Sequence, residues 1–331
     1  MSNGPRWSVE GRDWPLAAHS RFVDAARLRW HVQRLGNGPV IVMLHGTGAA
    51  THSWRGLAPL LATRFSIVTL DLPGHGFTQG VPRGGMSLPA IARAVTALLD
   101  RLNVRPTLLV GHSAGAAIAV RMALDGLPVD GLVGLSPALQ PFPGIAARLF
   151  PTLAKLLFVN PIAPHLFAAL ARRPGETARF LRRSTGSSIE PAGIEFYARL
   201  FATVGHCAGA IRMMAEWDLV PLAKALPTLD PPLLLVHGTG DAAIPTASVE
   251  ASAAAAPDGR VELLRDLGHL AHEERPDLVA AAIMHFAAMI GAGGADRSAA
   301  AGGEQRRGGA EQDRPGAGAR HAVGKDAAHE G

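Results

Sequence analysis

Residues 107–126 read TLLVGHSAGAAIAVRMALDG, and this stretch decides the fold. Thr107–Val110 is a short run without polar alternation, which suits a strand buried on both faces of a sheet. The alanine-rich run after Gly115 is helical in composition. Between them stands Gly111-His112-Ser113-Ala114-Gly115. A G-x-S-x-G turn between a strand and a helix is the context of a nucleophile elbow, in which a sharp turn lifts the serine hydroxyl above the sheet edge. Small residues at both glycine positions let strand and helix approach closely. An incidental serine in a glycine-rich turn is the plain alternative, so the partners elsewhere in the chain carry weight.

A serine hydroxyl needs a base to become a nucleophile. His269, in Leu267-Gly268-His269 after the run RVELL, is the candidate, with His272 one turn onward as its competitor. The acid that orients the imidazole is expected at the end of the preceding strand, and Asp241 after LLLVHGTG stands there. The chain order Ser113, Asp241, His269 fits a strand–turn–helix nucleophile. Two backbone N–H groups are needed for a developing oxyanion: Ala114, directly after the serine, and Thr47 in His45-Gly46-Thr47-Gly48. His45 reads as a residue that fixes this loop, and Asp71, in Asp71-Leu72-Pro73-Gly74-His75-Gly76, lies too early in the order to be the catalytic acid.

Further apolar runs surround the elbow. Arg21–Asp24 and Arg27–Arg34 read as an antiparallel pair; Val40–Leu44, Ser66–Leu70, Val129–Leu135, Pro232–Val236 and Arg260–Leu264 read as parallel strands. A helix capped by Ser87 runs through Leu102, with Ile91, Val95, Leu98 and Leu102 on one face. Strands alternating with helices give a doubly wound, mostly parallel α/β sheet. Residues 138–224 break the rhythm with helical periodicity and several prolines, and read as a helical cap over the strand ends. The expected organisation is an N-terminal extension (1–19), a discontinuous α/β core (20–137 and 225–290), the cap (138–224) and a disordered Gly/Ala-rich tail (291–331).

Composition excludes several classes. The net charge is +5 and basic residues form no long run, so nucleic-acid binding is not indicated. No apolar segment reaches the ~18 uninterrupted residues of a transmembrane span, and the first residues lack a signal core. One cysteine, Cys207, cannot form an internal disulfide, which points to a reducing cytoplasm and a buried spectator thiol. No H-E-x-x-H, G-x-G-x-x-G after a strand, or P-loop is present, so no metal and no cofactor is expected.

The segments HGTGAATHSW, DLPGHGFT, GHSAG, GTGDAAIP and LGHLAHEERP resemble the α/β-hydrolase superfamily across residues 20–290. GMSLPAIA (85–92), LFPTLAKLLFVNP (149–161), RRSTGSS (182–188) and GHCAGAIRMMAEWDL (205–219) narrow the resemblance to the magnesium chelatase accessory proteins of bacteriochlorophyll biosynthesis. That resemblance implies an α/β-hydrolase fold, triad positions at Ser113, Asp241 and His269, and a role in photosynthetic pigment synthesis near magnesium insertion, with the chelatase as a possible partner. It implies no particular reaction. An esterase-type hydrolase of a small-molecule substrate, a non-catalytic tetrapyrrole-binding or chelatase-assisting protein, and a cofactor-free haloperoxidase-like or general carboxylesterase activity all stay open. Serine at 113 disfavours the enzymes that use an aspartate nucleophile. Residues 138–224 hold ten Lys and Arg against five Asp and Glu, and Arg182 and Arg183 are the candidates to grip the carboxylates of a flat apolar ring such as protoporphyrin.

Overall fold

The structure is a computed structural model that describes residues 4–141 and 160–292. Its centre is an eight-stranded sheet: β1 (Ser20–Ala25), β2 (Leu28–Leu35), β3 (Val40–Leu44), β4 (Ser66–Leu70), β5 (Leu108–His112), β6 (Gly131–Leu135), β7 (Leu233–Gly238) and β8 (Gly259–Leu264). They lie in the order β1-β2-β4-β3-β5-β6-β7-β8, antiparallel from β1 to β4 and parallel from there on. The runs expected as strands are strands, with ends shifted by one or two residues.

Side chains alternate across a strand, and here both faces are apolar. In β3, Val42 and Leu44 enter the core on one side, while Ile41 and Met43 enter the core on the other. β7 repeats this with Leu233 and Leu235 against Leu234 and Val236. Continuous apolar runs therefore become fully buried strands, each such side chain contributing about 1.5–3 kcal/mol on burial. Helix α3 (Leu88–Arg101) and the elbow helix α4 (Ala114–Leu124) cover one face; α2 (Leu57–Leu61) and the C-terminal helix Pro276–Met289 cover the other. α1 is the single turn Trp7–Glu10. Ile91, Val95 and Leu98 of α3 are buried as its periodicity requires. Ser87 does sit at the cap position, but its hydroxyl donates to Gly84 O at 3.2 Å instead of capping the helix.

The β1–β2 turn rests on two residues, Ala26 (φ 50°) and Arg27 (φ 69°), both left-handed. Two-residue hairpins need that conformation, and Asn-Gly or Asp-Gly usually supplies it. The segment ahead of β1 is anchored through Trp14, which is buried and donates from Nε1 to Thr51 Oγ1 at 2.9 Å.

Strand β3 has β4 on one side and β5 on the other, so the chain reverses its direction of winding there. Loops leaving the carboxyl ends of β3 and β5 diverge at such a switch point and open a crevice where ligands bind. Between β6 and β7 the described residues carry five helices: α5 (Ala163–Ala171), α6 (Glu176–Thr185), α7 (Pro191–Phe201), α8 (Val204–Glu216) and α9 (Val220–Ala225). After β7 come α10 (Thr246–Ala255), α11 (Ala271–Glu274) and α12 (Pro276–Met289). Most of the apolar segment 149–161 and nearly all of the tail 291–331 fall outside the described residues.

Candidate active site

Ser113 follows β5 directly and has φ 50° and ψ −112°, a conformation an L-residue adopts only under constraint. The constraint is visible. Ser113 N–H donates to Leu135 O at 2.9 Å, and its carbonyl accepts from Ala116 at 3.1 Å and Ala138 at 3.2 Å. A Cβ on Gly115 would stand 1.9 Å from Leu44 O, and one on Gly111 would stand 2.3 Å from Ala116 N. Neither position admits a side chain, which is the physical content of the two glycines in G-x-S-x-G. The serine caps no helix N–H with its own oxygen, and its side chain is half-buried.

Asp241 and His269 meet. His269 Nδ1 and Asp241 Oδ2 are 2.8 Å apart, with the carboxylate fully buried and the imidazole 10% exposed. Asp241 Oδ1 accepts from the backbone of Ala243 at 2.7 Å and Ile244 at 2.9 Å. Burial pushes this carboxyl upward, but the His269 hydrogen bond and charge and the two backbone donors outweigh it and hold it below the usual aspartate value. His272 is the poorer alternative. Its ring nitrogens are buried without hydrogen-bond partners, its nearest carboxylate is Glu273 at 3.9 Å, and burial pushes it down to about 3.

His269 is tied to the elbow through His112. His112 Nε2 lies 3.0 Å from the His269 carbonyl and therefore donates to it, and the two rings stand 4.7 Å apart. Among the described residues no hydrogen bond joins Ser113 Oγ to His269 Nε2. The loop after β3 runs along the serine: a Cβ on Gly46 would lie 3.1 Å from Ser113 Cβ. The N–H of Thr47 in that loop has no hydrogen-bond partner among the described residues, nor has the N–H of Ala114 at the start of α4. His45 holds this loop in place, donating from Nδ1 to Gly46 O at 2.8 Å and accepting the Leu72 N–H at Nε2 at 2.9 Å.

The inserted helices close over these loops. His206 of α8 donates from Nε2 to Gly48 O at 3.0 Å and accepts Gly76 N–H at Nδ1 at 3.1 Å, so it must be neutral. Burial pushes it down to about 4. Thr47 Oγ1 donates to Met213 Sδ, also on α8, at 3.3 Å. His206, His112 and His237, which sits 3.6 Å from Asp241, all escaped the sequence reading. A histidine letter alone does not reveal which residues it reaches across the fold.

Arg182 and Arg183 are exposed on α6, and neither side chain has an ion pair among the described residues. Cys207 is buried, donates to Phe201 O at 3.1 Å, and is pushed up to about 11 by burial, so it is a thiol. Among the described residues no group of three or more His, Cys, Asp or Glu is placed to hold a metal ion, and no helix is long and apolar enough to cross a membrane.

Comparison with known proteins gives this geometry a context. A family model described as the alpha/beta hydrolase fold matches residues 39–276. The chain is 38% identical over 279 residues to the magnesium-chelatase 30 kDa subunit of Rhodobacter capsulatus, covering 83% of this chain and 96% of that one. It is 30% identical to the pimeloyl-[acyl-carrier protein] methyl ester esterase of Aeromonas hydrophila, covering 77% of this chain and 98% of the relative. The structure of a thermophilic esterase from Thermogutta terrifontis superposes with a TM-score of 0.67 at 22% identity, covering 82% of this chain and 99% of that one.

Proposed function

The chain belongs to the α/β-hydrolase family, in the branch it shares with the magnesium-chelatase 30 kDa subunit, and we propose that it is a serine hydrolase of the esterase type that serves bacteriochlorophyll synthesis near the magnesium chelatase step. The observation that carries this reading is the 2.8 Å Asp241–His269 contact, tied through His112 to the turn that holds Ser113 at φ 50°. Ser113 Oγ attacks the carbonyl carbon of an ester while its proton passes to His269 Nε2. Asp241 holds the ring by Nδ1 and stabilises the imidazolium. The carbonyl oxygen, now an oxyanion, accepts the N–H groups of Thr47 and Ala114. Collapse of this intermediate breaks the C–O bond, and His269 returns its proton to the leaving alcohol. Water, deprotonated by the same imidazole, then hydrolyses the acyl-serine and frees Ser113. A buried Asp241 that stays ionised is what this cycle requires.

The exposed arginines, with the resemblance to the magnesium chelatase accessory proteins, support a tetrapyrrole as the substrate class. A tetrapyrrole carries carboxylates that Arg182 and Arg183 would pair with through their planar forks of donors. A second reading, a tetrapyrrole-binding or chelatase-assisting protein without turnover, draws support from one observation: the 38% identical relative is named as a chelatase subunit. Hydrolysis of a panel of activated esters separates the two. Turnover that falls to background in Ser113→Ala, with the fold intact, supports the hydrolase. Full turnover by Ser113→Ala would remove Ser113 from the mechanism, and porphyrin binding without any wild-type turnover would favour the second reading.

A further inference from the structure

The loops that carry Asp241 and His269 are both held by one turn of the inserted helices. The carbonyl of Thr185, the last residue of α6, accepts the His269 N–H at 2.8 Å and the Ala242 N–H at 3.3 Å. A single oxygen thus ties the acid's loop to the base's loop. On one side of His269, Gly268 N–H donates to Glu274 Oε1 at 2.8 Å; on the other, Leu270 N–H donates to Ser187 Oγ at 2.8 Å. Glu274 Oε2 accepts Ser188 N–H at 3.1 Å, which closes the circuit back to the turn.

The turn is built to a fixed shape. Thr185 Oγ1 donates to Leu181 O at 2.6 Å and accepts Ser187 N–H at 3.1 Å, so the Thr185 side chain holds both flanks of its own carbonyl. Gly186 is left-handed at φ 70°, and a Cβ there would stand 2.2 Å from Gly240 O; one on Gly268 would stand 2.4 Å from Ser187 Oγ. Thr185 and Ser187 are buried, where a hydrogen bond is strong and an unmade one costly.

Three consecutive N–H groups, 268 to 270, are therefore anchored outside the loop that bears them. That leaves the backbone of His269 little freedom, and its ring orientation follows from its backbone. We infer that the Thr185–Ser188 turn, completed by Glu274, is a positioning element for the His269–Asp241 pair, so that the inserted helices orient the base as well as cover it. Covering alone would need no bond to residues 268–270. The inference rests on the reading of His269 as the base, and its test includes a measurement that does not.

The experiment compares full-length wild type with Ser187→Ala and Glu274→Gln. The first removes one acceptor, and the second replaces an acceptor oxygen with a donor at one of two backbone N–H groups. Two quantities are read: the low-field proton resonance of His269 Nδ1–H with the pH titration of the ring, and kcat and KM on an activated ester. The Nδ1–H resonance is expected to shift or broaden and the ring titration to move in both variants. Turnover should fall on the order of 10-fold to 100-fold in kcat, with KM changed by about two-fold or less because substrate contacts are intact. Lower melting temperatures with wild-type resonance, titration and kcat per folded molecule would overturn the inference and leave the turn as scaffold. If wild type shows the Nδ1–H resonance but no ester turnover, the hydrolase reading fails, and the resonance and titration of the two variants still decide this one.

Discussion

Among the described residues, two buried aspartate–histidine pairs share the same contact. His31 Nδ1 to Asp71 Oδ2 and His269 Nδ1 to Asp241 Oδ2 are both 2.8 Å. Each carboxylate also accepts two backbone N–H groups: Asp71 from Thr51 at 2.7 Å and Phe77 at 2.8 Å, Asp241 from Ala243 and Ile244. The pairs differ at the other ring nitrogen. His31 Nε2 lies 3.0 Å from Ser20 Oγ, and the ring is packed against Trp7, Phe22 and Phe77 with no exposure. His269 Nε2 has no hydrogen-bond partner among the described residues, and its ring keeps 10% exposure. An acid–histidine contact is thus a structural device in its own right; under the proposed function it is the unpartnered Nε2 of His269 that makes that pair chemically useful.

The largest expected effect separates the two pairs. Asp241→Asn should lower ester turnover by about 10⁴-fold, by analogy with other triads that lose the acid, with little change in melting temperature. Asp71→Asn should do the reverse. It removes one partner of a fully buried pair at a cost of about 3–5 kcal/mol, while the rate per folded molecule stays near wild type. Turnover assays and denaturant titrations on both variants measure this, and equal rate losses would erase the distinction.

A smaller effect concerns acid. His206 and His272 are buried neutral, at about 4 and about 3, against ~6.5 in an unfolded chain. Their folded values are depressed, so below ~6.5 the unfolded chain binds protons that the folded chain excludes. Stability should be full above that pH and fall as pH drops toward 4, by about 1.4 kcal/mol per unit for each such histidine. His206→Phe should be less stable at pH 7 by about 1–3 kcal/mol, since Gly76 N–H and Gly48 O lose their partner, and its loss of stability below pH 6.5 should be shallower. A slope identical to wild type would show that His206 does not contribute.

The smallest effect belongs to Arg182 and Arg183. Both are exposed, and an exposed charge pair is worth about 0.2–1 kcal/mol. Each alanine variant should bind protoporphyrin several-fold more weakly, the affinity should fall with added salt, and stability should be unchanged. Equal affinity for the diacid and its dimethyl ester in wild type would leave these arginines without a role in binding.

The sheet and the elbow were legible because their signals are local. β3 and β7 are unbroken apolar runs, and Gly111 and Gly115 flank Ser113 where the backbone admits no side chain. The Asp241–His269 contact was legible through the places of its members after β7 and β8. The His31–Asp71 pair was not, because its members are 40 residues apart and neither stands in a motif that announces the other. The Ala26–Arg27 turn carries none of the residues that usually mark a left-handed hairpin. The Thr185 grip on His269 runs through a carbonyl, a group every residue owns, so no letter encodes it.

Ser113, activated by His269 and Asp241, is the proposed nucleophile. Treatment of the full-length protein with a fluorophosphonate, followed by mass spectrometry of its peptides, tests this assignment most directly. One adduct is expected, on Ser113 in the peptide containing GHSAG, formed far more slowly in Asp241→Asn and absent in Ser113→Ala. An adduct on another serine, or none on a folded wild-type protein, would contradict it.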